Sequence, residues 1–420
     1  MLIQLRFENH RSFAQEQVLS LVAASKDESL LDTNVMATDA PGFGGLRLLR
    51  SAAIFGANAS GKSNVIEAVH FLSELLGSSV SERPPGTSTG ARPFLLDPAL
   101  ESQPSRFEVS FLLDGIRFHY DIAVDRHSIL REGLTTWPKG RRQSWFSREL
   151  RKAGNPRWSF GPSLKGQRER LAELTRPDVP FLAIAARFGH QQLAPVYEWL
   201  QTGIRALRRE SEISRTTGLA KENRGLQRRL LAWIQAADLG VVDLRFENRR
   251  TNGQSAKRAP SARAQLPSAG MEEVNRVSLA HRGRGGREVW FDWKDESQGT
   301  REYYRLLGDL LDALDRGHVV FVDELEASLH PLLARKLIET FHSPSQNPKG
   351  AQLIFTTHDS AVLDGSLMRR DQIWFTDKDR EGRSRLYPLS DFSPRKGEAL
   401  QKGYLAGRYR GIPFLNGFER

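Results

Sequence analysis

The sequence predicts an α/β fold, and three short apolar runs predict it. Ala52-Ala53-Ile54-Phe55, Val319-Val320-Phe321-Val322 and Leu353-Ile354-Phe355 each read as a buried strand, and each is followed at once by polar residues. Helical spacing lies between them. Val65, Ile66, Val69, Leu72 and Leu76 recur at three and four residues after the first run, and Tyr303, Tyr304, Leu306, Leu307, Leu310, Leu311 and Leu314 share one helical face before the second. Strands of this kind form a parallel sheet whose carboxyl edge collects the polar residues at the end of each strand.

The first strand runs directly into Gly56-Ala57-Asn58-Ala59-Ser60-Gly61-Lys62-Ser63, which fits G-x-x-x-x-G-K-[ST] between a strand and a helix. That context makes it a phosphate-binding loop. Glycines at 56 and 61 let the backbone curl until N–H groups point inward, and the helix dipole adds to the field. The expected nucleotide contacts are Gly56, Asn58, Ala59, Ser60, Gly61, Lys62, Ser63 and Asn64. Lys62 reaches the β- and γ-phosphates, and the Ser63 hydroxyl is a Mg²⁺ ligand, so ATP and Mg²⁺ are the expected cofactors.

The second strand delivers Asp323 and Glu324. Asp323 is expected to hold the Mg²⁺ water shell, and Glu324 to orient or deprotonate the water that attacks the γ-phosphate. The third delivers Thr356-Thr357-His358, with His358 placed to contact the γ-phosphate. Upstream, Ser297 and Gly299 precede the apolar face that starts at Tyr303, so they sit at a helix N-terminus. A small hydroxyl and a bare glycine there let backbone N–H groups approach an anion.

The 420 residues, 39% apolar and 26% charged, allow two or three soluble domains. No run reaches the length of a membrane span, and Met1 to Phe7 alternates like a strand, which predicts a cytoplasmic protein with no membrane partner. The absence of cysteine excludes disulfides and thiolate metal sites. The net charge of +11 is uneven: residues 131 to 290 hold 31 Lys+Arg against 15 Asp+Glu.

In order, these motifs resemble the ABC-type ATPase heads of the SMC and RecF group. Phe7-Glu8-Asn9-His10-Arg11-Ser12-Phe13 is similar to the N-F-R-S-F segment that opens those heads, with His10 where Phe is usual. Glu324-Leu325-Glu326-Ala327-Ser328-Leu329-His330-Pro331 is similar to their E-x-E-x-x-L-H-P run. A closer resemblance is to AAA-like ATP-binding proteins of abortive-infection and restriction-linked operons, the RloA and AbiL type. It is carried by Phe181-Leu182-Ala183, Pro195-Val196-Tyr197-Glu198-Trp199, Glu296-Ser297-Gln298-Gly299-Thr300-Arg301 and the ending Tyr404 to Pro413. The resemblance implies a dimer that sandwiches two ATP molecules, with Ser297 and Gly299 of each head on the γ-phosphate of the other. It also implies Arg11 and Ser12 as nucleotide contacts, Glu324 as base and His358 as γ-phosphate sensor.

The expected organisation is an ABC-type P-loop head built from two lobes, residues 1–145 and 286–420. Between them lies a mainly helical basic insertion, 146–285. Helices are expected over Asp178 to Arg208 and Asn223 to Ala237, and a mobile polar loop over Arg249 to Gly270. Basic pairs Arg208-Arg209, Arg228-Arg229, Arg249-Arg250 and Lys257-Arg258, the run Arg282-Gly283-Arg284-Gly285-Gly286-Arg287, and Trp137, Trp145, Phe146 and Trp158 form a candidate nucleic-acid surface. A solvated basic face, or a dock for an acidic protein, is the alternative.

The function expected is an ATPase subunit of an antiphage defence complex that controls a separately encoded effector, such as a Toprim-type protein or nuclease. A RecF-like repair mediator is the alternative, and a non-hydrolysing scaffold fits poorly beside Glu324 and His358. Asp377, Asp379 and Glu381 cluster on a short hairpin-like stretch, and 62 residues follow His358, so no nuclease activity is expected of this chain.

Overall fold

Six strands meet in the order Ile204–Leu207, Val319–Val322, Gln352–Thr356, Ser51–Gly56, Ile373–Lys378 and Ser384–Pro388. The first five are parallel and the last pairs antiparallel. All three strands read from the sequence are central members and are buried along their whole length, as expected of the middle of a parallel sheet. The N-terminal part of the chain thus supplies the strand beneath the phosphate loop, and distant segments flank it.

The computed structural model describes residues 1–42, 44–81, 84, 86–151, 155–207, 213–248, 275–327, 329–395 and 397–412. They form two compact units, Met1–Arg208 with Ala313–Arg420, and Arg209–Asp312. In the first unit an antiparallel seven-stranded sheet runs Pro156–Phe160, Gln143–Leu150, Ile129–Thr136, Ile116–Val124, Ser105–Leu113, Leu2–Glu8, Gln17–Ser20. Helix Lys62–Ser81 buries the predicted Val65, Ile66, Val69, Leu72 and Leu76, and one core joins them to Leu5 and Phe7 of this sheet and to Ile54, Phe321 and Ile354 of the parallel one.

A fully buried charge braces the antiparallel sheet. The Glu132 carboxylate accepts the backbone N–H groups of Phe181 (2.7 Å) and Leu182 (3.0 Å) and the Tyr120 hydroxyl (3.0 Å), and lies 3.2 Å from the Arg148 guanidinium. The N–H groups belong to the start of helix Phe181–Arg187, where no intrahelical acceptor exists. Arg148 in turn donates to the carbonyls of Val179 and Arg176.

The second unit contains helices Ile213–Glu222 and Arg224–Ala236 and an antiparallel sheet Val241–Asn248, Asn275–Arg282, Glu288–Asp292. Asn223 caps the second helix through hydrogen bonds from Gly225 and Leu226, close to the expected start. Helix Gln298–Arg316 buries Tyr303, Tyr304, Leu307, Leu310, Leu311 and Leu314 as the spacing required; Leu306 is partly exposed.

The expected boundaries at 146 and 285 fall inside sheets, and the compact division lies at Arg209 and Asp312. Net charge tracks the solvent face, whereas packing tracks strand pairing. The insertion accordingly carries a sheet besides its helices. The helical expectation for Asp178 to Arg208 also changes at its end, because Ile204–Leu207 completes the edge of the parallel sheet against Val319–Val322. Ladder hydrogen bonds outweigh a local helical pattern there. The expected loop Arg249 to Gly270 and the pairs Arg208-Arg209, Arg249-Arg250 and Lys257-Arg258 lie outside the described residues. Among the described residues no helix is long and apolar enough to cross a membrane.

Candidate functional site

The loop between strand Ser51–Gly56 and helix Lys62–Ser81 is shaped by its glycines. A side chain at Gly56 would press within 2.4 Å of the Thr376 hydroxyl, and one at Gly61, where φ is 115°, within 2.6 Å of Ser384. Ala59 holds the left-handed turn between them at φ 61°. Ser60 and Thr376 share a hydrogen bond of 2.6 Å, which ties the loop to the neighbouring strand. Asn58, Ala59 and Ser63 are exposed, so the face that a phosphate would meet is open.

Lys62 is buried, and its ammonium donates to the carbonyls of Gly56 (2.9 Å) and Ala57 (3.0 Å). Burial lowers its pKa, and the carboxylates of Glu324, Asp323 and Glu326 oppose that shift. Those acids come from the end of strand Val319–Val322, two strands away in the sheet and about 260 residues away in sequence.

The acid pair is held from the strand between. The Thr356 hydroxyl donates to Asp323 (2.6 Å) and accepts the Glu324 N–H (2.7 Å), while the Leu325 N–H reaches the Thr356 carbonyl at 3.1 Å. Glu324 itself sits at φ 49°, a conformation that costs a non-glycine residue of order 1 kcal/mol and is found where neighbours enforce it. His358 is exposed, and its N–H donates to Glu326 at 2.5 Å. The other Glu326 oxygen is buried and has no hydrogen-bond partner among the described residues. Sequence reasoning named neither Thr356 nor Glu326 as a site residue. The second acid of the E-x-E run was the available signal for Glu326; nothing local marked Thr356.

The opening segment reaches the loop from the other side. The Asn64 side chain donates to the Ser12 hydroxyl (2.7 Å), Ser384 donates to the same oxygen (2.8 Å), and Arg11 pairs with Glu67 on the loop's helix. Asn9 fixes the base of this turn by donating to the carbonyls of Leu100 and Gln103 and accepting from the Phe94 N–H. His10 lies among Phe7, Phe71 and Phe107, and among the described residues neither ring nitrogen has a hydrogen-bond partner. Burial, with Arg11 and Arg92 nearby, pushes its pKa down to about 3.

The structure therefore brings Arg11, Ser12, the loop residues, Asp323, Glu324 and His358 into one unit. Ser297 and Gly299 belong to the other unit, at the start of helix Gln298–Arg316, where the Ser297 hydroxyl accepts the Thr300 N–H at 3.0 Å. Glu296, directly before it, is buried and meets His281 at 2.9 Å.

The aromatic part of the expected nucleic-acid surface is committed elsewhere. Phe146 is fully buried, Trp158 packs on Phe160 and Phe181, Trp145 meets Phe118 edge-on, and Arg117 covers Trp137. Phe146 lies in the core under the antiparallel sheet, and Trp145, Trp158 and Phe160 pack against that core partly buried.

No curated protein matches the chain. Among solved structures it is similar to the SMC head domain from Thermotoga maritima, at 14% identity over 92% of this chain and 98% of that one, with a TM-score of 0.39. It is also similar to an Smc head domain with an extended coiled coil bound to the C-terminal domain of ScpA, from Pyrococcus furiosus, at 12% identity over 93% and 97%, TM-score 0.41. The recombination mediator protein RecF with ATPrS gives 12% identity over 92% and 98%, TM-score 0.37. A family model described as "AAA domain, putative AbiEii toxin, Type IV TA system" matches residues 51–364, from the strand under the phosphate loop past His358, and the chain belongs to that family.

Proposed function

We propose that the chain is an Mg²⁺-dependent, ABC-type ATPase subunit of an antiphage, abortive-infection-like complex, whose heads dimerise around ATP and govern a separately encoded effector. One observation carries the enzymatic part: the parallel sheet sets the end of the Asp323–Glu324 strand two strands from the loop of Lys62, with Thr356 on the strand between them bonded to both acidic residues. Lys62 and the loop N–H groups hold the β- and γ-phosphates, and Glu324 takes the proton of the attacking water. The donor set fits Mg²⁺, since Ser63 offers a hydroxyl at a helix start and Asp323 a carboxylate oriented by Thr356. Bound Mg²⁺ would neutralise charge on the β- and γ-phosphates.

His358 is the proposed γ-phosphate sensor, its loop held by Glu326. Arg11 and Ser12 brace the nucleotide side of the loop. Ser297 and Gly299 act in the partner head, which makes turnover depend on protein concentration. The effector is a Toprim-type protein or nuclease. The test is phosphate release by wild type and Lys62→Ala at several protein concentrations, with Mg²⁺ or EDTA. Specific activity that rises with concentration, needs Mg²⁺ and is lost in the variant is expected; a variant as active as wild type would sink the assignment.

A further inference from the structure

The second unit presents a cationic surface that the nucleotide chemistry does not use. Strands Asn275–Arg282 and Glu288–Asp292 are joined by a tight turn, closed where the Gly283 N–H donates to the Arg287 carbonyl at 2.7 Å. Gly285 and Gly286 adopt φ values of 75° and 82°, and a side chain at either would meet nothing within 4 Å. The turn therefore stands in solvent, with open space beside Gly285 and Gly286. Arg282, Arg284 and Arg287 are all exposed, and among the described residues no carboxylate pairs with any of them. Residues 282 to 288 hold these three arginines against one acid, Glu288.

The surface continues along one face of the sheet. The register sets Trp290 opposite Ala280 and Arg245 opposite Ser278, on the same face as Arg282, and the Arg245 guanidinium lies 4.6 Å from the centre of the Trp290 ring. Small residues beneath leave that ring and cation on top. Guanidinium forks match phosphate oxygens in pairs, glycines without side chains let a phosphate approach the turn closely, and an indole ring offers a face for a base. An acidic protein segment would use the cations but leave the ring without a counterpart.

One hydrogen bond leads from this surface to the start of helix Gln298–Arg316. His281, one residue before Arg282, hydrogen-bonds through Nε2 to the buried Glu296, and Glu296 is covalently next to Ser297, the cap of helix Gln298–Arg316. We propose that the Arg282–Arg287 hairpin, with Arg245 and Trp290, binds the phosphodiester backbone of nucleic acid, and that this contact acts on the Ser297–Gly299 helix start through the His281–Glu296 hydrogen bond. The binding rests on the hairpin alone. The coupling rests on the role proposed above for Ser297 and Gly299.

The experiment is fluorescence anisotropy of a labelled 30-nucleotide DNA strand and of its duplex with the full chain between 50 and 200 mM salt, alongside ATP hydrolysis. Arg282→Gln, Arg284→Gln and Arg287→Gln together should weaken binding at least about tenfold and lower the salt slope by about two to three. Basal hydrolysis should stay unchanged. Arg284→Gln alone, at a site without packing contacts, should give a smaller loss and guards against misfolding. Trp290→Ala should weaken the single strand more than the duplex. His281→Ala should bind DNA as wild type does yet lose any DNA-dependent change in hydrolysis. Wild type that ignores DNA at 50 mM salt, or a triple variant that binds normally, overturns the site. DNA binding that leaves wild-type hydrolysis unaltered, or His281→Ala that keeps the response, overturns the coupling alone. Binding without any ATP hydrolysis would leave the hairpin standing and reject the ATPase reading.

Discussion

The two sheets of the first unit each carry acids, and they treat them in opposite ways. Glu132, in the antiparallel sheet, is fully buried and surrounded by two backbone N–H groups, a hydroxyl and a guanidinium. Asp323 and Glu324, at the edge of the parallel sheet, are partly exposed; one neighbour, Thr356, orients both, and Glu324 sits on a backbone of positive φ. An acid enclosed by donors on all sides can only brace. An acid held from behind and partly exposed can meet a ligand, and the cost of its conformation is borne by the strands around it.

The sharpest test of that contrast is Glu324→Gln. It should lower the rate of hydrolysis by about 10²–10⁴-fold while nucleotide binding persists, because the proposed base is lost and shape is kept. Single-turnover hydrolysis with a nucleotide-binding assay would check it, and wild-type turnover would make Glu324 a second brace.

Glu132→Ala should do the reverse. Stability should fall by about 3–5 kcal/mol, since Arg148 is left buried without its partner and the Phe181 and Leu182 N–H groups lose their acceptor. Arg148→Met should cost less, because the helix start keeps its cap. Urea unfolding of both variants measures this, with hydrolysis per folded molecule expected to stay near wild type.

His10 is the exception in the first region, a polar ring enclosed without partners. Replacing it by Phe should stabilise the chain by about 1–3 kcal/mol at pH 7. With a folded pKa near 3 against 6.5 unfolded, the unfolded chain binds more protons between those values. Stability from this group is then complete above about pH 6.5 and is lost as pH falls toward 3. His342, likewise pushed down to about 3 by burial, adds the same slope. The advantage of His10→Phe should therefore widen from pH 7 to pH 5, and an advantage that is constant across that range would contradict the assignment.

Smaller effects are expected at the parallel edge. Thr356→Val removes the hydroxyl that Asp323 and Glu324 share and should reduce kcat about tenfold, with Thr356→Ser restoring most of it. Asp379→Asn should change hydrolysis and DNA integrity little. Its carboxylate accepts the Glu381 and Arg383 N–H groups, so it shapes the hairpin. Mg²⁺- or Mn²⁺-dependent cleavage that depends on Asp379 would reject that account.

The sequence alone determined the phosphate loop, the acid-ended strand and the third strand with His358, because each is a local pattern whose residues lie within one turn or one strand. It also determined the helix after the loop and the cap at Ser297. Boundaries misled it where charge and packing part company: of the aromatics read as surface, Phe146 is core and Trp158 packs partly buried against it, and Ile204–Leu207 read as helix and became a strand. Only the tertiary structure could decide that Thr356 bonds both the Asp323 carboxylate and the Glu324 N–H, that Glu326 holds the His358 loop, and that Glu132 is enclosed while Asp323 and Glu324 stay partly exposed. Those relations join residues separated by tens to hundreds of positions, and a single chain of letters carries no signal for contacts that strand order creates.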